Sequence, residues 1–520
     1  MDGIINPKGW SEWNHPERKD PKHYISPLPK PPTPPPPPLY PQTLHLPNLR
    51  RLDLSDSKNL IKVPDLGEAL NLRMLILSGC VKLMELHPSI GYLRKLSLLN
   101  LGVCTSLINL PHFKENLNLE KLHLEGCIQL REITPSIGLL QKLTFLDLRN
   151  CQNLVTLPNS ILHLSSLEYL YLSFCPKLFN NQLLHESRDE EHMEKLCVGE
   201  DPIGFHSGST TSIMKRCFML PSLKGSISWL LPSSTVVPCL RELNLSSCNL
   251  VSIPDAIRNL HFLEFLNLEE NNFATVPSLK ELSKLYFLNL KYCRQLKYLP
   301  EFPSQTNLSS KVLQLPKPII VPPIAQRETV ESCIYGETAG LNTFGCTELV
   351  EMGRCTNMAF SWTIQLLQAH YQFKRLPCYD RFLQCISSII PGSEIPSWFN
   401  NQHEGTGSFI TIHESPLMQQ SNNCIGLLCC LVFPSLSGSK ILSCNPARTI
   451  TIPLFWVENR VSEDHLWLFY LKPPQSTVTG CHAHSKLRID IKTYGYALTI
   501  EVKKYGYRWI YEKDLESIKL

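Results

Sequence analysis

Leucines recur at a fixed spacing along the first 300 residues. Within each unit they occupy the first, fourth and sixth positions, and a cysteine usually stands at the ninth. The steps between units are 22 to 24 residues, apart from one step of 73. Such a short alternation of apolar and polar positions predicts one brief, half-buried strand per unit. The units begin at Leu49, Leu72, Leu96, Leu119, Leu143, Leu167, Leu240, Leu263 and Leu285.

Nine units with this spacing form a leucine-rich repeat, which predicts a solenoid with a parallel β-sheet on its concave side. The fourth and sixth positions should point into the core. The ninth position favours a small side chain that can be buried, so we expect packing rather than zinc or redox chemistry there. Apolar-proline pairs such as Val63-Pro64 suit the irregular return segment, because proline cannot donate to a strand ladder. The ninth-position cysteines are Cys80, Cys104, Cys127, Cys151, Cys175, Cys248 and Cys293.

The third, fifth and seventh positions of each unit should face outward from the concave sheet. Aromatic and charged side chains gather there, which is typical of protein-binding surfaces when the rings are exposed. The alternative is that these rings pack within the chain itself. The predicted protein-binding residues are Lys121, His123, Phe145, Asp147, Tyr169, Tyr171, Glu242, Phe265, Asn267 and Phe287.

The sequence further predicts four regions. Residues 1–45 should be largely disordered, with a proline-rich stretch at 27–41 that favours a polyproline II linker or docking segment. Residues 46–300 should form the repeat domain, interrupted by an insertion at 176–238 where the leucine pattern is missing. Residues 301–384 should form a linker and helical bridge, because 338–370 have helical spacing.

Residues 385–520 alternate apolar and polar side chains in short runs separated by turn residues. Seven such runs predict an antiparallel β-sandwich. The predicted strands are Phe409–Ile412, Cys424–Phe433, Thr449–Phe455, Leu466–Leu471, Lys486–Lys492, Ala497–Lys503 and Arg508–Tyr511.

Composition excludes several classes of protein. The 520 residues carry a net charge of +4, which is too mild for binding nucleic acid or a membrane surface through bulk charge. The apolar run Cys424–Phe433 is too short to span a bilayer. The first twenty residues lack the apolar segment of a secretory signal. We therefore expect reduced cysteines and a cytoplasmic or nuclear location.

Motifs for catalysis, cofactors or metals are missing from the sequence pattern. There is no G-x-S-x-G, H-E-x-x-H or G-x-x-x-x-G-K-[ST] motif. Cys481, His482 and His484 offer metal-ligating atoms, but a zinc site needs a second pair at suitable spacing. The sequence thus predicts a protein that is not an enzyme, with no catalytic residues, no cofactor and no metal site.

Three further stretches resemble a known family. They are Pro391–Phe399 (PGSEIPSWF), Asp464–Tyr470 (DHLWLFY) and Lys503–Arg508 (KKYGYR). Together with the L-x-x-C repeats, they resemble the C-terminal part of plant TIR-type nucleotide-binding leucine-rich-repeat disease resistance proteins. The tail is similar to the jelly-roll/Ig-like C-JID domain of that family. The resemblance covers residues 46–520, and neither a TIR nor a nucleotide-binding domain is recognisable in the sequence.

The resemblance implies a sensor that binds a pathogen effector or a host signalling protein. It also implies coupling to a nucleotide-binding switch, which this chain would have to borrow in trans from a nucleotide-binding receptor. The alternatives are a free-standing leucine-rich-repeat adaptor or decoy, and a truncated gene product without independent activity. For the PGSEIPSWF motif we expect a role in starting the sandwich core, with direct contact to a partner as the other interpretation.

Overall fold

The computed structural model describes residues 4–5, 46–115, 117–179, 237–304, 338–373, 385–413, 424–434, 463–471, 486–490 and 501–517. The chain forms two compact units, residues 1–248 and 249–520. The proline-rich stretch at 27–41, most of the predicted insertion at 176–238, and Cys481, His482 and His484 all lie outside the described residues.

The first unit is a stack of short parallel strands. The middle residue of each strand from β2 onward is a buried leucine, and each leucine lies opposite the next across the sheet. This confirms the leucine-rich-repeat architecture in this unit. The strands are β1 (Ile4–Ile5), β2 (Arg51–Asp53), β3 (Met74–Ile76), β4 (Leu98–Asn100), β5 (Lys121–His123), β6 (Phe145–Asp147), β7 (Tyr169–Tyr171) and β8 (Glu242–Asn244).

The long step in the repeat leaves the sheet unbroken. Strand β7 pairs directly with β8, and Tyr169 lies opposite Glu242 although 73 residues separate them. Leu170 therefore meets Leu243 as it would in consecutive repeats.

Return segments lead away from the strands through single turns of 3₁₀-helix. These turns span Pro88–Tyr92, Pro135–Leu139 and Asn159–His163 in the first unit, and Asp255–Asn259 in the second. Two of the predicted apolar-proline pairs end at the N-cap of such a turn, with Pro158 and Pro254 in extended backbone. Proline fits there because an N-cap position does not need its own N–H in the helix ladder.

The ninth-position cysteines link each repeat to the one before it. Each thiol is buried and donates a hydrogen bond to the carbonyl of the sixth-position leucine of the preceding repeat. For Cys104 the Sγ–O distance to Leu77 is 3.1 Å, and for Cys127 the distance to Leu101 is 3.3 Å. Burial raises the pKa of the Cys80 thiol to about 11. Because only a thiolate is nucleophilic, these cysteines act as packing groups, as the sequence predicts.

A second feature of the repeats is that the residue just before the ninth position has a left-handed backbone conformation, with a positive φ angle. Gly79 and Gly126 hold it with φ of 74° and 72°, but Val103 and Phe174 hold it with φ of 60° and 56°. A β-branched residue in this region is strained, because its Cβ crowds the carbonyl oxygen. The repeat geometry therefore imposes this conformation whatever the side chain.

The second unit contains the last two of the nine predicted repeat strands and one further strand that the sequence did not predict. It contains β9 (Phe265–Asn267), β10 (Phe287–Asn289) and β11 (Thr338–Asn342), all parallel. Leu341 lies opposite Leu288, and the Cys346 thiol donates to the Leu290 carbonyl over 3.0 Å. Residues 338–342 are thus a tenth repeat strand, and the helical prediction for this stretch is wrong. Thr343 stands where the pattern has an apolar residue, which hides the repeat.

The helix of the predicted bridge begins later than expected, as α1 (Met352–Phe373). It packs on β11 and on β12 (Cys385–Pro391), which pairs in parallel with β11. Thr363 Oγ1 lies 2.7 Å from Ser388 Oγ, and Ser388 Oγ in turn accepts a hydrogen bond from the Leu341 amide. This buried contact fastens the helix to both strands.

The remaining elements of the second unit are β13 (Asn401–Gly407), β14 (Phe409–His413), β15 (Cys424–Phe433), β16 (His465–Leu471), β17 (Lys486–Asp490), β18 (Val502–Tyr511) and α2 (Glu512–Ser517). Strand β12 begins an antiparallel sheet with the order β12-β16-β15-β18-β13, and β14 and β17 form a separate pair.

The sequence did not predict β12 and β13. The two strands predicted between residues 497 and 511 are described as one continuous strand over 502–511. The predicted strand Thr449–Phe455 lies outside the described residues.

The three family-like stretches of the tail pack against one another. A Cβ on Gly506 would lie 2.9 Å from Ile395 Cγ2 and 3.1 Å from Phe399 Cβ, so glycine makes room for the PGSEIPSWF segment. The Arg508 guanidinium lies 4.3 Å from the Trp398 ring centroid. These contacts agree with the expected core role of the motif.

A buried histidine ties the repeat to this sheet. His465 Nε2 accepts a hydrogen bond from the Gly345 amide over 3.2 Å, and Nδ1 lies 3.0 Å from the Glu463 carbonyl. This pattern requires the neutral ring with its proton on Nδ1. Burial lowers the pKa of His465 from 6.5 to about 4.

We predict that His465 makes folding sensitive to mild acid. Its pKa is lower in the folded than in the unfolded state, so its contribution is complete above pH 6.5 and is lost as the pH falls toward 4. From pH 7 to pH 5 this amounts to about 2 kcal/mol. In urea unfolding, His465→Gln keeps an acceptor and should lose less stability over this range than the wild type. Parallel pH profiles for the two proteins would contradict the prediction.

We also predict that Val103→Gly stabilises the protein by about 1 kcal/mol, because glycine adopts the left-handed conformation without the side-chain penalty. The reverse change, Gly126→Val, should destabilise by a similar amount. A Cβ at Gly126 meets nothing closer than 3.5 Å, so the comparison isolates backbone conformation from crowding. Urea midpoints measure both, and a less stable Val103→Gly protein would refute the idea.

Candidate protein-binding face

The candidate site is the face of the repeat strands opposite the buried leucines, called here the strand face. It is formed by the third, fifth and seventh positions of each repeat. The sequence predicts that the side chains of this face are exposed, and this prediction is only partly correct. Lys121, Tyr171 and Glu242 are half-buried. The other predicted residues are buried: His123, Phe145, Asp147, Tyr169, Phe265, Asn267 and Phe287.

The rings are buried because neighbouring strands lie close enough for their side chains to cover one another. Phe145 is 3 % exposed and packs between repeats. Its ring centroid lies 4.7 Å from that of His123 and 5.5 Å from that of Tyr171, the latter edge-on. The expectation of exposed aromatics is therefore wrong for Phe145, Tyr169, Phe265 and Phe287. In each unit, these rings form a buried aromatic layer beneath the strand face.

The fifth-position Asp and Asn side chains have a structural task. Each accepts a hydrogen bond from the backbone amide two residues later, where the strand turns. Asp147 Oδ1 accepts from the Arg149 amide over 3.1 Å, and Asn267 Oδ1 accepts from the Glu269 amide over 3.0 Å. Short polar side chains stabilise such turns. The presence of Asp147 and Asn267 at these positions is thus explained without a partner.

Charged groups on the first unit's strand face are tightly organised. Arg149 Nε and Nη2 contact both oxygens of Asp147, with a shortest distance of 2.6 Å, and the Asp147 side chain is fully covered. Tyr171 Oη donates to Glu242 Oε2 over 2.5 Å. Burial raises the pKa of both Tyr171 and Glu242. The charged groups here are therefore held by specific partners, with Asp147 fully buried and Tyr171 and Glu242 half-buried.

Next to this ion pair lie His123 and Glu125. His123 Nδ1 is 4.0 Å from Glu125 Oε2. Burial lowers the pKa of His123 to about 4. Burial, followed by the charge of Asp147, raises the pKa of Glu125 to about 8. Both groups favour their neutral forms here because charge is costly to bury.

The strand face of the second unit repeats this design. The Phe265 and Phe287 rings stack with centroids 4.8 Å apart. Lys291 Nζ lies 3.0 Å from Glu269 Oε1, and Asn289 Nδ2 donates to Glu269 Oε2. An aromatic layer again lies beside a paired charge.

Sequence reasoning missed the charged seventh-position residues of the strand face. These are Glu125 and Arg149 in the first unit, and Glu269 and Lys291 in the second. The signal was available, because the seventh position also faces outward from the sheet. Arg149 pairs with Asp147 of its own repeat, whereas Lys291 pairs with Glu269 of the preceding repeat, so the spacing alone does not show which partner each charge takes.

None of the helices in the described ranges is long and apolar enough to cross a membrane.

Family comparisons agree with this architecture. The C-JID domain matches residues 390–516, and the Leucine Rich Repeat family matches residues 142–164 and 239–260. TMV resistance protein N from Nicotiana glutinosa is 34% identical over 297 residues, which cover 52% of this chain and 26% of that protein. This chain is similar to the C-terminal, leucine-rich-repeat and C-JID part of plant TIR-type resistance proteins.

Other resistance proteins show the same relationship. Disease resistance protein RPS4 from Arabidopsis thaliana is 25% identical over 312 residues, covering 54% of this chain and 23% of that protein. The chain thus spans about a quarter of the length of these curated resistance proteins. Among solved structures, a Leptospira interrogans LRR protein is 20% identical, covers 48% of this chain and 78% of its own, and has a TM-score of 0.20.

The burial of the aromatic layer gives a stability prediction. Phe145→Ala should destabilise the protein by about 3 kcal/mol, because it leaves a cavity between repeats. Phe145→Leu should cost only about 1 kcal/mol, since most of the apolar area stays buried. Urea unfolding followed by circular dichroism measures both. An unfolding midpoint unchanged by Phe145→Ala would restore the exposed-ring interpretation.

Proposed function

We propose that this chain is the protein-recognition part of a plant immune receptor that acts inside the cell, in the cytoplasm or nucleus. It is not an enzyme on this proposal, and it binds a pathogen effector or a host signalling protein. The similarity to resistance proteins and the two matched families support this function.

One observation carries the proposal, namely the ordered support beneath the half-buried residues of the strand face. Lys121, Tyr171 and Glu242 reach solvent, and the layer that contains Phe145 and Asp147 fixes their surroundings. A surface held in place before binding loses little conformational entropy on binding. Aromatic residues such as Tyr171 are enriched at protein interfaces.

We further propose that the C-terminal domain closes into a jelly-roll/Ig-like sandwich that assists recognition. The support is an apolar cluster shared by the two antiparallel sheets. It joins Ile410 and Ile489 of the β14–β17 pair to Leu431 and Phe469 of the larger sheet. Tyr505 Oη also donates to the Thr411 carbonyl across the two sheets.

Coupling to a nucleotide-binding switch is part of this proposal, because the chain resembles part of the nucleotide-binding leucine-rich-repeat resistance proteins and spans about a quarter of its curated relatives. The switch could belong to the same receptor or act in trans. In both cases, binding on the strand face would have to favour one state of the switch.

A charge reversal tests the proposed binding face. The chain is first screened for one-to-one, saturable binding against purified effectors of a pathogen that the source plant resists. For a partner found in this way, Lys121→Glu should weaken binding at least tenfold, because it reverses a charge on the face. Lys142→Glu is the matched control, since Lys142 is exposed on a return segment and contacts Asn118. It should change the affinity less than twofold.

Two results would overturn the proposal. One is that no effector or host signalling protein gives saturable binding. The other is that binding is equally strong with Lys121→Glu and with Lys142→Glu, which would exclude the strand face as the contact surface.

A further inference from the structure

The strand face of the first unit brings together three side chains with metal-ligating atoms. One ligand atom each from His123, Glu125 and Asp147 lies within 4.8 Å of the others. The parallel register places His123 beside Asp147 in the next repeat, and Glu125 follows two residues after His123. This grouping was not apparent in the sequence, because it joins residues 24 positions apart.

Two of these groups lack the partners that buried polar atoms normally have. His123 is 4 % exposed, and within the described part of the chain no residue forms a hydrogen bond with its ring. Glu125 Oε2 is buried and has no hydrogen-bond partner among the described residues. The two atoms face each other at 4.0 Å, too far apart for a hydrogen bond. A buried polar atom left in this state destabilises the folded protein, because its hydrogen bonds to water are lost and not replaced.

The oxygens of Asp147 are already occupied. They accept four contacts from Arg149: the backbone N–H and Nε reach Oδ1, and Nε and Nη2 reach Oδ2. An ionised carboxylate has about four lone-pair sites, so an incoming cation would have to replace one of these contacts. The Nε–H is shared between the two oxygens, so its 3.1 Å contact with Oδ2 is the one to give way.

The geometry points to a site for a divalent transition-metal ion held by His123, Glu125 and Asp147. An ion at the centre of three atoms 4.8 Å apart lies about 2.8 Å from each, and zinc bonds to nitrogen and oxygen are about 2.0–2.2 Å. Each side chain would need to move by less than about 1 Å to close the site. One imidazole with two carboxylates suits zinc(II) and similar ions.

Neighbouring residues shape the space around the ligands. A Cβ on Gly102 would lie 2.1 Å from Glu125 Oε1, so the missing side chain at this position leaves room for the carboxylate. The Phe145 ring packs on the His123 ring and holds its orientation. The ion would cross-link β5 and β6. This inference goes beyond the proposed function and does not depend on it.

Zinc(II) and cobalt(II) binding to the full chain tests the site. The protein is stripped with a chelator, and zinc stoichiometry is measured by competition with a chromophoric chelator. His123→Phe keeps the ring stacking and removes the nitrogens, and Glu125→Gln keeps the shape and removes the charge. Each should lose one zinc equivalent or bind it at least tenfold more weakly. His163→Ala, which removes an exposed histidine of the same unit, is the matched control.

The readout separates this site from the cysteines and histidines elsewhere in the chain. A cobalt spectrum that loses a nitrogen- and oxygen-ligated component in both variants, but not in His163→Ala, supports the assignment. Circular dichroism and urea midpoints verify that each variant folds. Equal zinc stoichiometry and affinity in the wild type, His123→Phe and Glu125→Gln would overturn the inference, as would a wild type that binds no zinc.

Discussion

The carbonyl that ends each strand must be satisfied in a dry interior, and this requirement fixes the distance between repeats. The Leu101 carbonyl accepts from the Cys104 amide at 3.1 Å in its own turn, and from the Cys127 thiol of the next repeat at 3.3 Å. A carbonyl oxygen has two lone pairs, so both are used. Only a small donor fits where the chain leaves the strand, which explains why cysteine recurs at the ninth position.

Close stacking of the repeats then determines what the strand face can contain. Side chains at equivalent positions touch across neighbouring strands, so a ring such as Phe145 is covered by the rings beside it. A charge in this layer must be paired, as Asp147 is with Arg149, because an unpaired buried charge is costly. The strand face is therefore a thin layer of half-buried side chains, Lys121 among them, above a buried and paired base. On the proposed function, only these few side chains would be free to contact a partner.

The sequence predicts the nine repeat strands well, because leucine spacing reports directly on burial. It fails at the tenth strand, where Thr343 interrupts the apolar pattern, although Cys346 keeps the thiol contact. It also overstates the exposure of Phe145, since the pattern shows which way a side chain points but not what covers it. The grouping of His123, Glu125 and Asp147 depends on how side chains are oriented in neighbouring repeats, and the spacing of residues in the sequence does not show this orientation.

The motifs of the tail favour a structural rather than a recognition role. Gly506 leaves room for Ile395 and Phe399, and the Gly392 amide donates to the Asp464 carbonyl over 2.8 Å. Lys503 Nζ contacts the Asp464 carboxylate over 2.7 Å, so all three motifs meet in one region. A change in one of them would disturb the packing of the others. Residues bound in this way have little freedom to vary without loss of packing, which is why these motifs are better explained by folding than by contact with a partner.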